Sequence, residues 1–331
     1  MTKPIHECLI NKKTSTKPIW FMRQAGRYLP EFRKIRKLNP NFIKLCLNNN
    51  LCSKITLQPL KRFNLSAAII FSDILMVPHG LKQKVNFKKN FGPQLGNINL
   101  KNVSEEEFIK ELKPIYNCIN KVKSNYLIKN RNLIGFIGAP WTLLVYMLNK
   151  KSPQKKIDSS FFNNKNLIDK ILKKLEKFLI IHIENQIDNG ADVIQIFDSW
   201  AGLVNKKDLP KYVYEPTLKL VNFVKSKKIP VICFPRGIKN YKEYTEMVKP
   251  DAISIDYEVD PLKIKKEIDI PVQGGLNPNI LLSDKETLRK ETLKYLNIFK
   301  DHPYIFNLGH GVLPETDPLM IDYLVKLVND Y

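Results

Sequence analysis

The chain has 331 residues, 44% of them hydrophobic, and no uninterrupted apolar run of membrane-spanning length, so we expect a sizeable buried core and no membrane partner. Its formal charge of +22 would ordinarily suggest nucleic acid, but only eight of the 54 basic residues are arginine, and lysines scattered along predicted helical faces read as solvated surface. Five cysteines, odd in number and without a CxxC pair, argue against a disulfide framework, and residues Met1–Lys13 carry no secretory pattern, so a cytoplasmic location is expected.

The first apolar run is Pro18–Met22, followed by Arg23, Gln24, Ala25, Gly26, Arg27 and Tyr28. Arg23, Arg27, Arg33 and Arg36 fall within fourteen residues, a concentration that suggests sites where lysine would not serve. A stretch of helical pattern leads to the second run, Ala67–Phe71, which ends in Ser72 and Asp73. The long connection after it includes a Gly/Pro-punctuated stretch from Val77 to Leu100, and Ser104–Glu107 then reads as a capping box that starts a helix. The third run, Leu133–Ile137, leads to Gly138, Pro140 and Trp141. A helix is expected over Asn166–Asn189, with Ile171, Leu175, Phe178 and His182 on its packed face.

The fourth run, Val193–Phe197, is followed by Asp198, Ser199 and Trp200, and the fifth, Pro230–Phe234, by Arg236 and Gly237. The sixth, Ala252–Ile255, leads to Asp256 and Tyr257, and the seventh, Ile270–Gln273, to Gly274 and Gly275. Ser283–Glu286 offers a second capping box. After the eighth run, Tyr304–Leu308, come Gly309, His310 and Gly311, and Asp317 before Pro318 suits a helix start.

Continuous apolar runs of this length suit strands buried on both faces of a parallel sheet. Eight of them fit an α/β fold: a single (β/α)8 TIM barrel over residues 1–331, with long loops after strands 1 and 2. Active sites of such barrels lie at the C-terminal ends of the strands, which makes the residues after each run the candidates. They combine cations, a few carboxylates, aromatic surfaces and glycines, a set suited to a large, flat, polyanionic ligand. The sequence has no HxH, HExxH, GxSxG or Walker pattern, and no metal is expected.

The string PIWFMRQAGRYLPEFRKIR (Pro18–Arg36), together with FSDIL, GFIGAPWTLLVYM, QIFDSWAG and NLGHGVLPETDP, closely resembles the uroporphyrinogen decarboxylase family in order and context. The resemblance implies a cofactor-free homodimer that removes the four acetate carboxyl groups of uroporphyrinogen III, giving coproporphyrinogen III in heme biosynthesis. It puts Arg23 and Arg27, with Arg36 as a further candidate, on substrate carboxylates, and Gln24, Ala25 and Gly26 between them. It makes Asp73 the acceptor of pyrrole N–H groups and, with Arg27, a catalytic residue. Phe136 and Gly138 would line the cleft, while Tyr146, Ser199 and His310 would hydrogen-bond carboxylates. The chain departs from the family at QGGLNP (Gln273–Pro278), where QGNLDP is common, and at FPRG (Phe234–Gly237), where lysine is more familiar than arginine.

Plainer readings compete. Asp73 and Ser199 could be helix caps, Tyr146 a core aromatic, and Arg33 and Arg36 members of a solvated helix face. His182 reads as core, and Asp198, Trp200 and Asp256 are left without a role. Rival functions are a zinc- and corrinoid-dependent methyltransferase of the same superfamily, a basic nucleic-acid binder, and an inactive porphyrinogen-binding relative. The first would need an HxC strand end where residues 231–233 read Val, Ile, Cys.

Overall fold

A computed structural model describes residues 3–88, 91–98, 103–153 and 164–331. The chain opens with helix α1 (Pro4–Ile10), and after the Pro18–Met22 segment come α2 (Pro30–Leu38), α3 (Phe42–Cys46) and α4 (Asn49–Arg62). Strand β1 (Ala67–Ile69) is followed by α5 (Met76–Gly80) and an antiparallel hairpin of β2 (Val85–Lys88) and β3 (Gly92–Leu95). Residues 89, 90, 99 and 100 of the Val77–Leu100 stretch lie outside the described residues. Strands and helices then alternate: α6 (Glu105–Lys123), β4 (Asn132–Gly138), α7 (Pro140–Asn149), α8 (Lys165–Asp188), β5 (Val193–Asp198), α9 (Glu215–Ser226), β6 (Val231–Pro235) and α10 (Tyr241–Val248). The series ends with β7 (Ala252–Ile255), α11 (Pro261–Glu267), β8 (Val272–Gly274), α12 (Lys285–Ile298), β9 (Tyr304–Ile305) and α13 (Pro318–Asn329).

Seven strands form one curled sheet in the order β1-β4-β5-β6-β7-β8-β9, every pairing parallel. The first of the eight expected runs, Pro18–Met22, is not among them: it forms no strand and makes a single parallel bridge from Ile19 to Phe306. The reason is local. Pro18 has no N–H, and the donors beside it are taken by side chains: Ile19 N by Ser66 Oγ (2.9 Å) and Met22 N by Asn307 Oδ1 (3.2 Å). The segment still touches both edges of the sheet, since Phe306 N donates to Pro18 O (2.8 Å) and Ser66 N to Ile19 O (2.8 Å).

Apolar side chains fill the inside of the sheet, among them Trp20, Ile69, Ile134, Val193, Ile232 and Ile305. Ile5, Cys8 and Leu9 of α1 join this cluster, and Ile5 N donates to Asn132 Oδ1 (3.1 Å) at the start of β4, so α1 plugs the N-terminal end. At the other end the partly buried Phe136 and Phe197 pack on the cluster edge-to-face, 5.7 Å between ring centroids. The C-terminal end of the sheet interior thus carries an aromatic layer.

Helix starts follow the expected chemistry with one shift. Ser104 and Glu107 make both arms of the capping box, at 3.1 and 3.0 Å. At the second box Asp284, not Ser283, is the cap, taking Thr287 N (2.8 Å) and Thr287 Oγ1 (2.9 Å) on its two oxygens, while Ser283 Oγ turns back to Ile280 O. A carboxylate accepts two donors where a hydroxyl accepts one of them less strongly. The packed stripe of α8 is buried as expected, and His182 lies in the core with Nδ1 2.9 Å from Tyr116 Oη.

Candidate active site

The first rim segment is built to hold Arg23. A turn closes from Gln24 N to Phe21 O (3.0 Å), and Arg23 takes a left-handed backbone conformation with φ of 61°, uncommon for a side chain of this kind. Gln24 is fully buried, and its amide both accepts from Phe21 N (3.0 Å) and donates to Ala67 O (3.1 Å), while Tyr28 Oη donates to Gln24 O (2.9 Å). Its side chain therefore secures the turn. Ala25 packs on the core, and a Cβ at Gly26 would stand 2.6 Å from Arg23 O, which explains glycine there. From the far side Gly311 closes on Arg23, where an added Cβ would come within 2.3 Å of Arg23 Cδ.

Arg27 is exposed, and its guanidinium has no hydrogen-bond acceptor among the described residues. Arg33 is tied to the backbone, donating to Arg27 O and Tyr28 O, each at 2.9 Å. Arg36 donates to Asn39 O (2.5 Å) and lies over the Phe42 ring at 5.5 Å, so it closes the end of α2.

Asp73 follows β1 and is not the N-cap of α5, which is Leu75. Its Oδ1 accepts Leu75 N (2.8 Å) and its carbonyl accepts Met76 N (3.1 Å), whereas Oδ2 has no protein donor among the described residues. Part of its surface faces the cleft, yet protein crowds the rest, and burial raises its pKa to about 6 against the opposing pull of Leu75 N–H and Arg23. Arg23 shows the complementary balance. Water reaches it through the open mouth, but crowding by protein lowers its pKa, with Asp73 opposing and the charges of Arg27 and Arg236 adding to the shift.

The opposite wall comes from β4 and β5. Gly138 leaves room for Leu143 and Ile74, either of which would be about 3 Å or less from a Cβ there. Asp198 is buried and accepts Thr142 Oγ1 (2.6 Å), and the same hydroxyl accepts Trp200 N (3.1 Å). Ser199, between these two anchored residues, has a half-exposed side chain with no protein partner among the described residues. The Trp200 ring packs on Tyr146, centroids 5.9 Å apart, and burial pushes the Tyr146 phenol up, so it stays a donor. Burial, then the Arg23 and Arg236 charges, lower His310 to about 4, leaving a neutral imidazole at working pH.

The structure thus gathers Asp73, Tyr146 and His310 within electrostatic reach of Arg23, as well as Arg236, which sequence reasoning placed on the rim but not in the site. The FPRG string after the fifth run was the signal for it. One crowded carboxylate with a free oxygen has Arg23 in electrostatic reach, and Arg23 in turn has Arg27 and Arg236. Such a site suits a flat ligand with acidic arms and N–H donors at its centre. Among the described residues no group of three or more His, Cys, Asp or Glu is placed to hold a metal ion, and no helix is long and apolar enough to cross a membrane.

Residues 2–331 match the family description "Uroporphyrinogen decarboxylase (URO-D)". Curated relatives of the name uroporphyrinogen decarboxylase include one from Rickettsia bellii, 40% identical over 97% of this chain and 97% of its own length. Another, from Rickettsia felis, is 41% identical over 97% and 95%. Among solved structures, a methyltransferase from Methanosarcina mazei superposes with a TM-score of 0.76 over 98% of this chain and 96% of its own, at 13% identity, a likeness of fold alone.

Proposed function

Because the chain belongs to the uroporphyrinogen decarboxylase family, we propose that its rim is where the four acetate groups of uroporphyrinogen III leave as carbon dioxide, giving coproporphyrinogen III. The observation that carries this reading is the Asp73 carboxylate, with one oxygen unmet and the unpaired Arg23 guanidinium in electrostatic reach.

Decarboxylation leaves an electron pair that needs a sink. Protonating a pyrrole carbon makes the ring cationic and able to take that pair; the exocyclic carbon left behind then takes a proton to become methyl and the ring carbon releases its own, so the substrate supplies its own sink and no cofactor enters the scheme. Asp73 accepts the pyrrole N–H groups and faces the developing cation. A carboxylate ~4 Å from it is worth about 4 kcal/mol at an effective dielectric near 20, roughly three powers of ten in rate. Arg23 and Arg27 grip substrate carboxylates through paired N–H groups, with Arg36 behind them at the end of α2. Arginine hardly releases a proton, so these residues orient the substrate and do not act as its acid. Gln24, Ala25 and Gly26 hold the arginine turn, Phe136 and Gly138 shape the floor, and Tyr146, Ser199 and neutral His310 donate to carboxylates.

The Pro18–Met22 segment serves as the eighth stave of one barrel domain spanning residues 1–331, a reading supported by its bonds to both sheet edges. The enzyme works in the cytoplasm, the location expected of a sequence without a secretory pattern, and as a homodimer, as the family resemblance leads us to expect. A zinc-dependent methyl transfer is not favoured, since Cys233 is fully buried with its thiol pushed up to about 12 by burial, the reverse of a metal-binding thiolate.

The test is an anaerobic assay with uroporphyrinogen on the intact protein, Asp73→Ala and Arg27→Ala. Coproporphyrinogen is expected from the first and a severe loss from both variants. Full activity in Asp73→Ala would overturn the mechanism.

A further inference from the structure

Of the eight arginines, four are committed to the protein itself. Arg62 pairs with Glu31 through two nitrogens, Arg131 donates to Leu65 O and Leu127 O, Arg33 to Arg27 O and Tyr28 O, and Arg36 to Asn39 O. The guanidinium groups of the other four have no acceptor among the described residues. One, Arg289, is exposed on the outer helix α12, where water satisfies it. The remaining three, Arg23, Arg27 and Arg236, all stand on the C-terminal rim.

We propose that Arg236 is a further carboxylate grip of the decarboxylase site, binding one acidic arm of the tetrapyrrole alongside Arg23 and Arg27. The inference rests on the functional reading above and extends it to a residue for which that reading has no part.

Its backbone is clamped while its head is free. Arg236 N donates to Asp198 O (3.0 Å) and Phe234 O (3.1 Å), and Arg236 O accepts Gly202 N (3.0 Å). The next residue, Gly237, takes φ of 78° and donates to Asp256 Oδ2 (3.1 Å). A Cβ at Gly202 would stand 2.4 Å from Gly237 O, so the loops after β5 and β6 touch backbone to backbone. Three rim loops therefore fix the Arg236 Cα. Asp256, the nearby acid left unassigned by the sequence, is engaged by Gly237 N and Glu258 N (2.9 Å) and forms no ion pair with Arg236. The Arg236 charge is within electrostatic reach of Arg23 and His310, and also of the buried Tyr241 of α10.

The half-buried Arg236 guanidinium has no ion pair of its own and lies in electrostatic reach of a second cation, so an acidic group could be taken there without breaking an existing pair. A preformed base removes much of the ordering cost of gripping that anion. Guanidinium suits the task better than ammonium because its paired N–H groups match a carboxylate.

The experiment compares wild type, Arg236→Gln, Arg236→Lys and, as a surface-charge control, Arg289→Gln, in anaerobic uroporphyrinogen turnover. A charge-assisted contact of this kind implies a KM raised roughly ten- to hundredfold in Arg236→Gln. Its kcat should change far less, with partial recovery in Arg236→Lys and no change in Arg289→Gln. A KM within about twofold of wild type in Arg236→Gln, or a loss in kcat alone, would sink the proposal. Should Arg236→Gln not fold, a wild-type KM in Arg236→Lys would count against a paired grip. If wild type makes no coproporphyrinogen, the functional reading itself fails, a result distinct from all of these.

Discussion

A carboxyl raised to about 6 has consequences of opposite sign for stability and activity. The folded state favours neutral Asp73, so the stability this group contributes is complete below about pH 4 and is lost as pH rises through about 6. The proposed mechanism uses the ionised form, so kcat/KM should fall on the acid side with an apparent pKa near 6. His310, neutral down to about 4, adds nothing to that limb. Asp73→Asn is therefore expected to lower kcat about a thousandfold while gaining about 1 kcal/mol at pH 8, a figure kept well below the full shift because water reaches the group. Calorimetry and kinetics on one preparation would check both, and an unchanged acid limb in the pH profile of wild type would contradict the assignment. The identity of Asp73, Arg23 and Arg27 as candidates was legible from the strand-end motifs. That Oδ2 is free while Oδ1 caps the turn to Leu75 was not, because FSDIL is compatible with either use of the carboxylate.

At the scale of elements, the two rim segments that matter most are far apart in sequence and meet as a pair. The turn after Pro18–Met22 presents Arg23, and the Gly309–Gly311 segment closes over it. Val312 N donates to Met22 O (2.9 Å), and Gly311 lies against the Arg23 stem. Replacing Gly311 with alanine would bring a methyl group to 2.3 Å from Arg23 Cδ, so Arg23 must leave its position. Turnover by Gly311→Ala is expected to drop at least tenfold with a loss of stability under about 2 kcal/mol, readable by denaturant titration beside the assay. Normal turnover would show that the Arg23 position does not matter. The glycines flanking His310 were visible in the sequence as backbone freedom, but their second use, as space for an arginine nearly three hundred residues away, required the packed structure. The same holds for the first apolar run. Its composition announced a strand, and its missing N–H and the side-chain acceptors Ser66 and Asn307 reduced it to a bridge.

For the whole molecule, the charge of +22 is dispersed over lysines that make isolated, exposed pairs such as Lys177–Glu105, Lys227–Glu184 and Lys326–Asp322, each worth little. The proposed homodimer predicts a particle of twice the 38.5 kDa chain mass by light scattering at assay concentration, and a fully active species of single mass would remove dimerisation from the account. The sequence by itself determined the parallel α/β organisation, the helix caps and the residues of the rim, because each depends on neighbours within a few positions. Only the tertiary structure decided which arginines stay unpaired, which oxygen of Asp73 is left without a donor, and that Arg236 comes within electrostatic reach of Arg23 and His310. Those outcomes depend on which partners arrive from distant segments, and a guanidinium held by a backbone carbonyl and one left free for a ligand look alike in the chain until it folds.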